Sequence, residues 1–125
     1  MRLLVLAPRV IGADEVRAAL PNDDLAGAQV LVVTPAHNES AVAFWVSDAD
    51  EAIADAAGDA EATARALEAA GARARPTVGD DDPLLALHDA LATYPADRIV
   101  VFEDGLAAEA RERFDVPVTH GHLRS

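Results

Sequence analysis

Three stretches of the chain are apolar: Leu3–Leu6, the centre of Gln29–Thr34, and Ile99–Phe102. A strand covered on both faces has this pattern, because both of its rows of side chains are buried. Pro8 ends the first stretch and Pro35 stops the second. Two further stretches predict strands that each hold a proline. In Ala72–Val78, arginine alternates with small or apolar residues around Pro76, and Val116–Thr119 contains Pro117. Proline cannot donate to a ladder, so both strands belong at sheet borders.

Between the strands the apolar spacing becomes helical. Asp14–Leu20 sets Val16, Ala19 and Leu20 on one side before Pro21-Asn22-Asp23-Asp24 breaks it. Ala36–Ser47 is the least regular segment, and its Phe44 and Trp45 are read as packing that loop onto the sheet rather than stacking a base. A long helix is expected from Asp48 to about Ala70, with Asp48 as cap and Glu51 three residues on. Ile53, Ala57, Ala60, Ala64 and Leu67 form its apolar face, and Gly71 is the stop. Asp82 caps a helix whose first residue is Pro83, with Leu84, Leu87, His88 and Leu91 turned inward as far as Tyr94-Pro95. Leu106–Phe114 is the last helix, with Leu106, Ala110 and Phe114 on one face.

Strand and helix alternate four times and a fifth strand follows. That order predicts one α/β domain over residues 1–125: an open five-stranded parallel sheet with helices on both faces and right-handed crossovers. With the proline strands at the borders, the strand order is 3-2-1-4-5.

Length fits a single domain of 125 residues. With no cysteine, a disulfide framework and a thiolate metal site are both excluded. The apolar run at the N-terminus is too short for a spanning helix or a signal-peptide core, and the expected location is cytoplasmic. Twenty-two acidic residues against ten arginines and no lysine give a net charge of −12. Such a field repels nucleic acid and anionic lipid, so neither is expected as a partner. An Ala-, Asp- and Arg-rich host composition accounts for this balance.

The segment Arg98-Ile-Val-Val-Phe-Glu-Asp-Gly105 bears most directly on function. It predicts a buried strand that turns directly into a helix, at the sheet edge where open α/β folds bind ligands. A phosphate cradle needs several glycines and free backbone N–H groups; this turn offers Glu103, Asp104 and the single Gly105. The crevice candidates are Ala7, Pro8, Arg9, Thr34, Gly79, Asp80, Glu103, Asp104 and Gly105. Asp80, Asp81, Asp82, Glu103 and Asp104 oppose a triphosphate there. No resident cofactor or metal is expected; the alternatives are ATP with Mg²⁺, or a divalent cation held by residues such as Asp80 and Asp104. The plainer reading has Asp82 as cap, Asp80 and Asp81 as turn residues, and Glu103 and Asp104 favoured by the following helix dipole.

The remaining candidates are thinner. His120 and His122 have the spacing of a metal pair on a strand, but two ligands at a chain end make a poor site. His37 and His88 are isolated. Ser40 and Ser47 lack the Gly-x-Ser-x-Gly elbow of a hydrolase. A receiver-like signalling domain would need a lysine after its fifth strand, and the chain has none.

Several segments in order and spacing resemble the universal stress protein family over nearly the whole chain: Val30–Pro35, the helix from Asp48 to Ala70, Ala69–Gly79, Gly79–Leu87, Ala96–Val101 and Phe114–Thr119. In that family the ATP-binding members resemble one another in a glycine-rich segment after the fourth strand and an acidic residue just after the first. Here Ala7-Pro8 follows the first strand, and after Gly105 no glycine occurs until Gly121. The resemblance therefore implies a member that does not bind ATP in the usual way: a non-catalytic binding or regulatory module. A small Mg-dependent nucleotide-utilising enzyme is the alternative. The resemblance also implies a homodimer through the last strand, with Val116, Pro117, Val118 and Thr119 at the interface.

Overall fold

The structure is a computed structural model, and it describes residues 1–21, 24–36, 49–103 and 105–121, with only the backbone of 49–52. Its elements are β1 (Arg2–Leu6), α1 (Ala13–Ala19), β2 (Gln29–Pro35), α2 (Ala49–Ala69), β3 (Arg73–Gly79), α3 (Pro83–Thr93), β4 (Arg98–Val101), α4 (Leu106–Arg113) and β5 (Val118–His120). All strand pairs are parallel and the order is β3-β2-β1-β4-β5, as the sequence predicts.

Strict alternation divides the core in two. Leu3, Val5, Val30, Val32, Val100 and Phe102 face α1 and α2, where Val16, Ala60, Ala64 and Leu67 meet them. Leu4, Leu6, Leu31, Val33, Ile99 and Val101 face α3 and α4, against Leu84, Leu87, Leu106 and Ala110. A strand position points to one face or the other. Both rows of β1, β2 and β4 are apolar because both faces carry helices.

The proline strands lie at the borders for a reason visible in the ladder. Arg73 donates its N–H to the Ala28 carbonyl, and Gly79 accepts from Ala36 N. The backbone groups of 73, 75, 77 and 79 therefore turn toward β2, while those of Ala74, Pro76 and Val78 face the open side. Pro76 falls where no partner waits for an N–H.

Three expectations need correction. Ile53, assigned to the buried face of α2, is 48% exposed. At 1.5 Å per residue the 21-residue helix spans about 31 Å, whereas seven-residue strands reach about 23 Å. The helix runs back from the C-terminal edge, so its first turns overhang the sheet. The inward residues are Ala56, Ala60, Thr63, Ala64 and Leu67. His88, expected to face inward, is exposed and lies 3.6 Å from Asp89. Ala86 and Ala90 turn the packed face of α3 away from it, and Leu85 is exposed too. Lastly, β5 begins at Val118, one residue after Pro117, and reaches His120. Ile99 N donates to the Pro117 carbonyl, so the proline contributes only its acceptor to the ladder. Gly121 continues the ladder by donating to Val101 O, under the Phe102 ring. The expected cap at Asp48, along with Phe44 and Trp45, lies outside the described residues.

Candidate functional site at the C-terminal edge of the sheet

The parallel register brings most of the crevice candidates to one edge. Leu6 pairs with Val33 and Val101, and Pro35 pairs with Gly79. Ala7, Pro8, Arg9, Thr34, Gly79, Asp80, Glu103 and Gly105 therefore follow or end four adjacent strands, a front roughly 14 Å wide. Asp104 lies outside the described residues. The backbone closes the floor: Ala7 N donates to Val33 O at 2.9 Å, Phe102 N to Leu6 O at 3.0 Å and Ala36 N to Gly79 O at 3.1 Å.

These residues are not equivalent. Ala7 is fully buried and Arg9 exposed, so the first turn contributes backbone and one exposed cation. Gly79 is a packing glycine, since a Cβ there would sit 2.7 Å from Ala86 Cβ and 2.8 Å from Val33 Cγ1. Gly105 holds φ at +78°, a left-handed conformation that needs glycine, and it starts α4 without a side-chain cap.

Asp80, Asp81 and Asp82 do what turn and cap residues do. Asp80 Oδ1 accepts the Asp82 N–H at 3.0 Å, and Asp82 Oδ1 accepts the Leu84 N–H at 3.1 Å with Pro83 opening α3. The Asp82 N–H, helped by a hydrogen bond from Asp81, holds the Asp80 carboxyl below its ordinary value. Sharing that bond with Asp80, and facing its charge, pushes Asp81 up. Among the described residues, no group of three or more His, Asp or Glu is placed to hold a metal ion. His120 lies on β5; His37, His122, Ser40 and Ser47 lie outside the described residues.

Two polar atoms at this edge stand out. Thr34 is 1% exposed and its Oγ1 has no hydrogen-bond partner. Glu103 Oε2 is likewise buried without a partner. The strand ends that carry them are separated by β1, about 10 Å apart. Buried polar groups are nearly always paired, so two orphans at one edge are an open demand for hydrogen bonds. Sequence reasoning missed Thr63, which supports this edge from below. It donates to Asp59 O at 3.0 Å and accepts the Ile11 N–H at 3.2 Å, tying the turn after β1 to α2. Its signal was a polar residue among the inward alanines.

The last strand is less open than expected. Val116 and Val118 pack into the chain's own core beneath α3 and α4. The outward carbonyl of Val118 is held by Arg111 Nε at 3.0 Å. Pro117 is exposed and Thr119 half-buried. Among the described residues no helix is long and apolar enough to cross a membrane.

No family model matches the sequence, and no curated protein matches it. Solved structures do. A universal stress protein from Archaeoglobus fulgidus is similar at TM-score 0.69 and 18% identity, over 97% of this chain and 93% of that one. A universal stress protein family protein from Arabidopsis thaliana, with AMP bound, is similar at TM-score 0.66 and 14% identity, over 100% and 93%. One from Burkholderia pseudomallei gives 0.55 and 19%, over 95% and 93%. At these identities the likeness speaks for the backbone arrangement. Sheet order, helix placement and these neighbours agree: the chain has the universal stress protein fold.

Proposed function

We propose that the chain is a universal stress protein-type binding or regulatory module, non-catalytic, which takes its ligand at the C-terminal edge and does not bind ATP in the manner of glycine-rich members. The pair of buried, unpartnered atoms Thr34 Oγ1 and Glu103 Oε2 carries this reading. Leaving such a group unsatisfied costs about 1–3 kcal/mol, and a ligand presenting hydroxyl or amine hydrogens relieves it. The carboxylates of Asp80, Asp81, Asp82 and Glu103 disfavour a triphosphate at the same front.

A second reading is favoured by the Arabidopsis neighbour, which has AMP bound. A monophosphate brings less charge to the acidic edge, and a ribose hydroxyl can meet one of the two orphans. A thermal-shift screen of AMP, ADP and ATP, with and without Mg²⁺, separates the two. A ligand of the native state at a hundred times its dissociation constant stabilises by about 2.7 kcal/mol. A shift with AMP alone supports the second reading. An ATP shift overturns the first, and ATP turnover revives the enzyme alternative.

Self-association through β5 belongs to the same proposal. Arg111 holds the outward Val118 carbonyl, so the surface left at that edge for a second copy is mainly that of Pro117 and Thr119. Arg111→Ala frees that carbonyl and is expected to strengthen pairing. Light scattering on eluting protein tests it, and a 13.1 kDa species at micromolar concentration sinks it.

A further inference from the structure

The opposite, N-terminal edge of the sheet carries charge of the other sign. Arg2, Gln29 and Arg73 are partners in one row across β1, β2 and β3, and Arg75 stands two rows further on, beside Leu31. Paired positions in a parallel sheet point to one face, here that of Leu31 and α3. Arg2, Arg73 and Arg75 are exposed, and among the described residues none of their side chains has an ion-pair or hydrogen-bond partner. In a chain of net charge −12, these three guanidiniums concentrate positive charge on one face, with the Asp97 carboxylate beside them accepting the Arg2 backbone N–H at 2.8 Å.

An open groove of about 580 Å³ lies beside them, lined by Gln29, Arg73, Ala74, Arg75, Tyr94 and, on its far wall, Glu68. That volume falls within the ordinary range for small-molecule sites. Tyr94 is 8% exposed, and its hydroxyl donates to the Gln29 carbonyl at 2.9 Å, so its ring is a fixed wall. Arg2 and Arg75 both lie near enough to act on that hydroxyl electrostatically. Ala74 turns its backbone N–H to the open side of β3, the same side as the groove. Two arginines alternating on an edge strand also deter edge pairing. That role needs neither the groove nor Arg2 in the same row.

We propose that this groove binds a small organic dianion carrying a hydroxyl, gripped by the guanidiniums of Arg73 and Arg75. The planar fork of arginine matches carboxylate and phosphate oxygens two at a time. Gln29 and Glu68 supply acceptors for the hydroxyl, and Glu68 disfavours ligands whose charge spreads across the whole groove. The shared chemistry is a doubly charged oxyanion, which two sources provide: a hydroxy-dicarboxylate or a sugar-type phosphate monoester.

Malate and glycerol 3-phosphate are the probes, titrated into the full chain at low ionic strength and followed by calorimetry and by backbone amide shifts. Binding of either is expected, with shifts centred on Gln29, Ala72–Arg75 and Tyr94. Malate alone assigns the dicarboxylate source; glycerol 3-phosphate alone assigns the ester. The double variant Arg73→Gln/Arg75→Gln should weaken binding by about tenfold or more and lower the melting temperature only slightly, since both side chains are exposed and the loss of two positive charges merely deepens the net charge of −12. Absence of binding by both probes overturns the proposal. So do shifts confined to residues 103–107, or equal affinity in the double variant.

Discussion

Thr34 and Thr63 are the buried polar residues among the described positions, and they carry opposite signs of energy. Thr63 is satisfied twice, as donor to Asp59 O and acceptor of the Ile11 N–H. Thr63→Val keeps the shape but strands that N–H, and it should cost about 1–3 kcal/mol in urea unfolding. Thr34 has no partner, so Thr34→Val removes a desolvated hydroxyl from the ligand-free protein. The same substitution should there raise stability by about 1 kcal/mol while weakening whatever ligand the edge takes. A fall in stability with Thr34→Val would show that the hydroxyl is paired in solution. Burial of both threonines follows from strand alternation and helical phase, which the sequence displays. That Thr63 meets the Ile11 N–H, 52 positions away, and that Thr34 meets nothing, it does not display.

At the scale of elements, the sheet–helix contacts are set by small residues. Gly79 lets the end of β3 approach Ala86 on α3, with no room for a methyl group. Gly79→Ala forces the two apart and should destabilise by about 1–3 kcal/mol, read as a lower urea midpoint with unchanged slope. A midpoint equal to that of the unaltered chain would mean that α3 shifts at no cost. The β-segments were legible because apolar runs and prolines state burial and border directly. Ile53 and His88 were misplaced because helical phase says which residues share a face. It does not say how far a helix outruns its sheet, or which arc its alanines turn inward. Pro117 was misplaced by one position because a proline carbonyl can still serve the ladder.

Across the whole molecule, charge is arranged by edge: acidic turns at the C-terminal end of the sheet, free arginines at the other. Tyr94, the only tyrosine, reports on the second. Burial pushes its hydroxyl above the ordinary value, with the Leu3 N–H, Arg2 and Arg75 pulling the other way. An acid whose folded value is raised keeps its proton longer in the native state. That contribution is complete below the unfolded value near 10 and is lost as pH rises through the folded one. Absorbance titration of the tyrosinate should place the native midpoint above that of the unfolded chain, with stability falling only in that alkaline window. Coincident midpoints would mean that the hydroxyl is solvated and the Gln29 bond absent. Net charge adds a further expectation: salt should raise the melting temperature, because screening relieves the repulsion of a −12 chain.

The sequence by itself determined the parallel sheet, its strand order, the proline borders and the acidic, glycine-poor turn at Gly105. Each of these is written in local apolar spacing or in what a single residue type can do to a backbone. Tertiary structure alone decided that Thr34 Oγ1 and Glu103 Oε2 are buried without partners, that Arg111 occupies the Val118 carbonyl, and that Arg2, Arg73 and Arg75 share one face beside Tyr94. Those facts depend on which distant segments meet and at what register, and burial of a polar atom has no meaning until the atoms around it are in place.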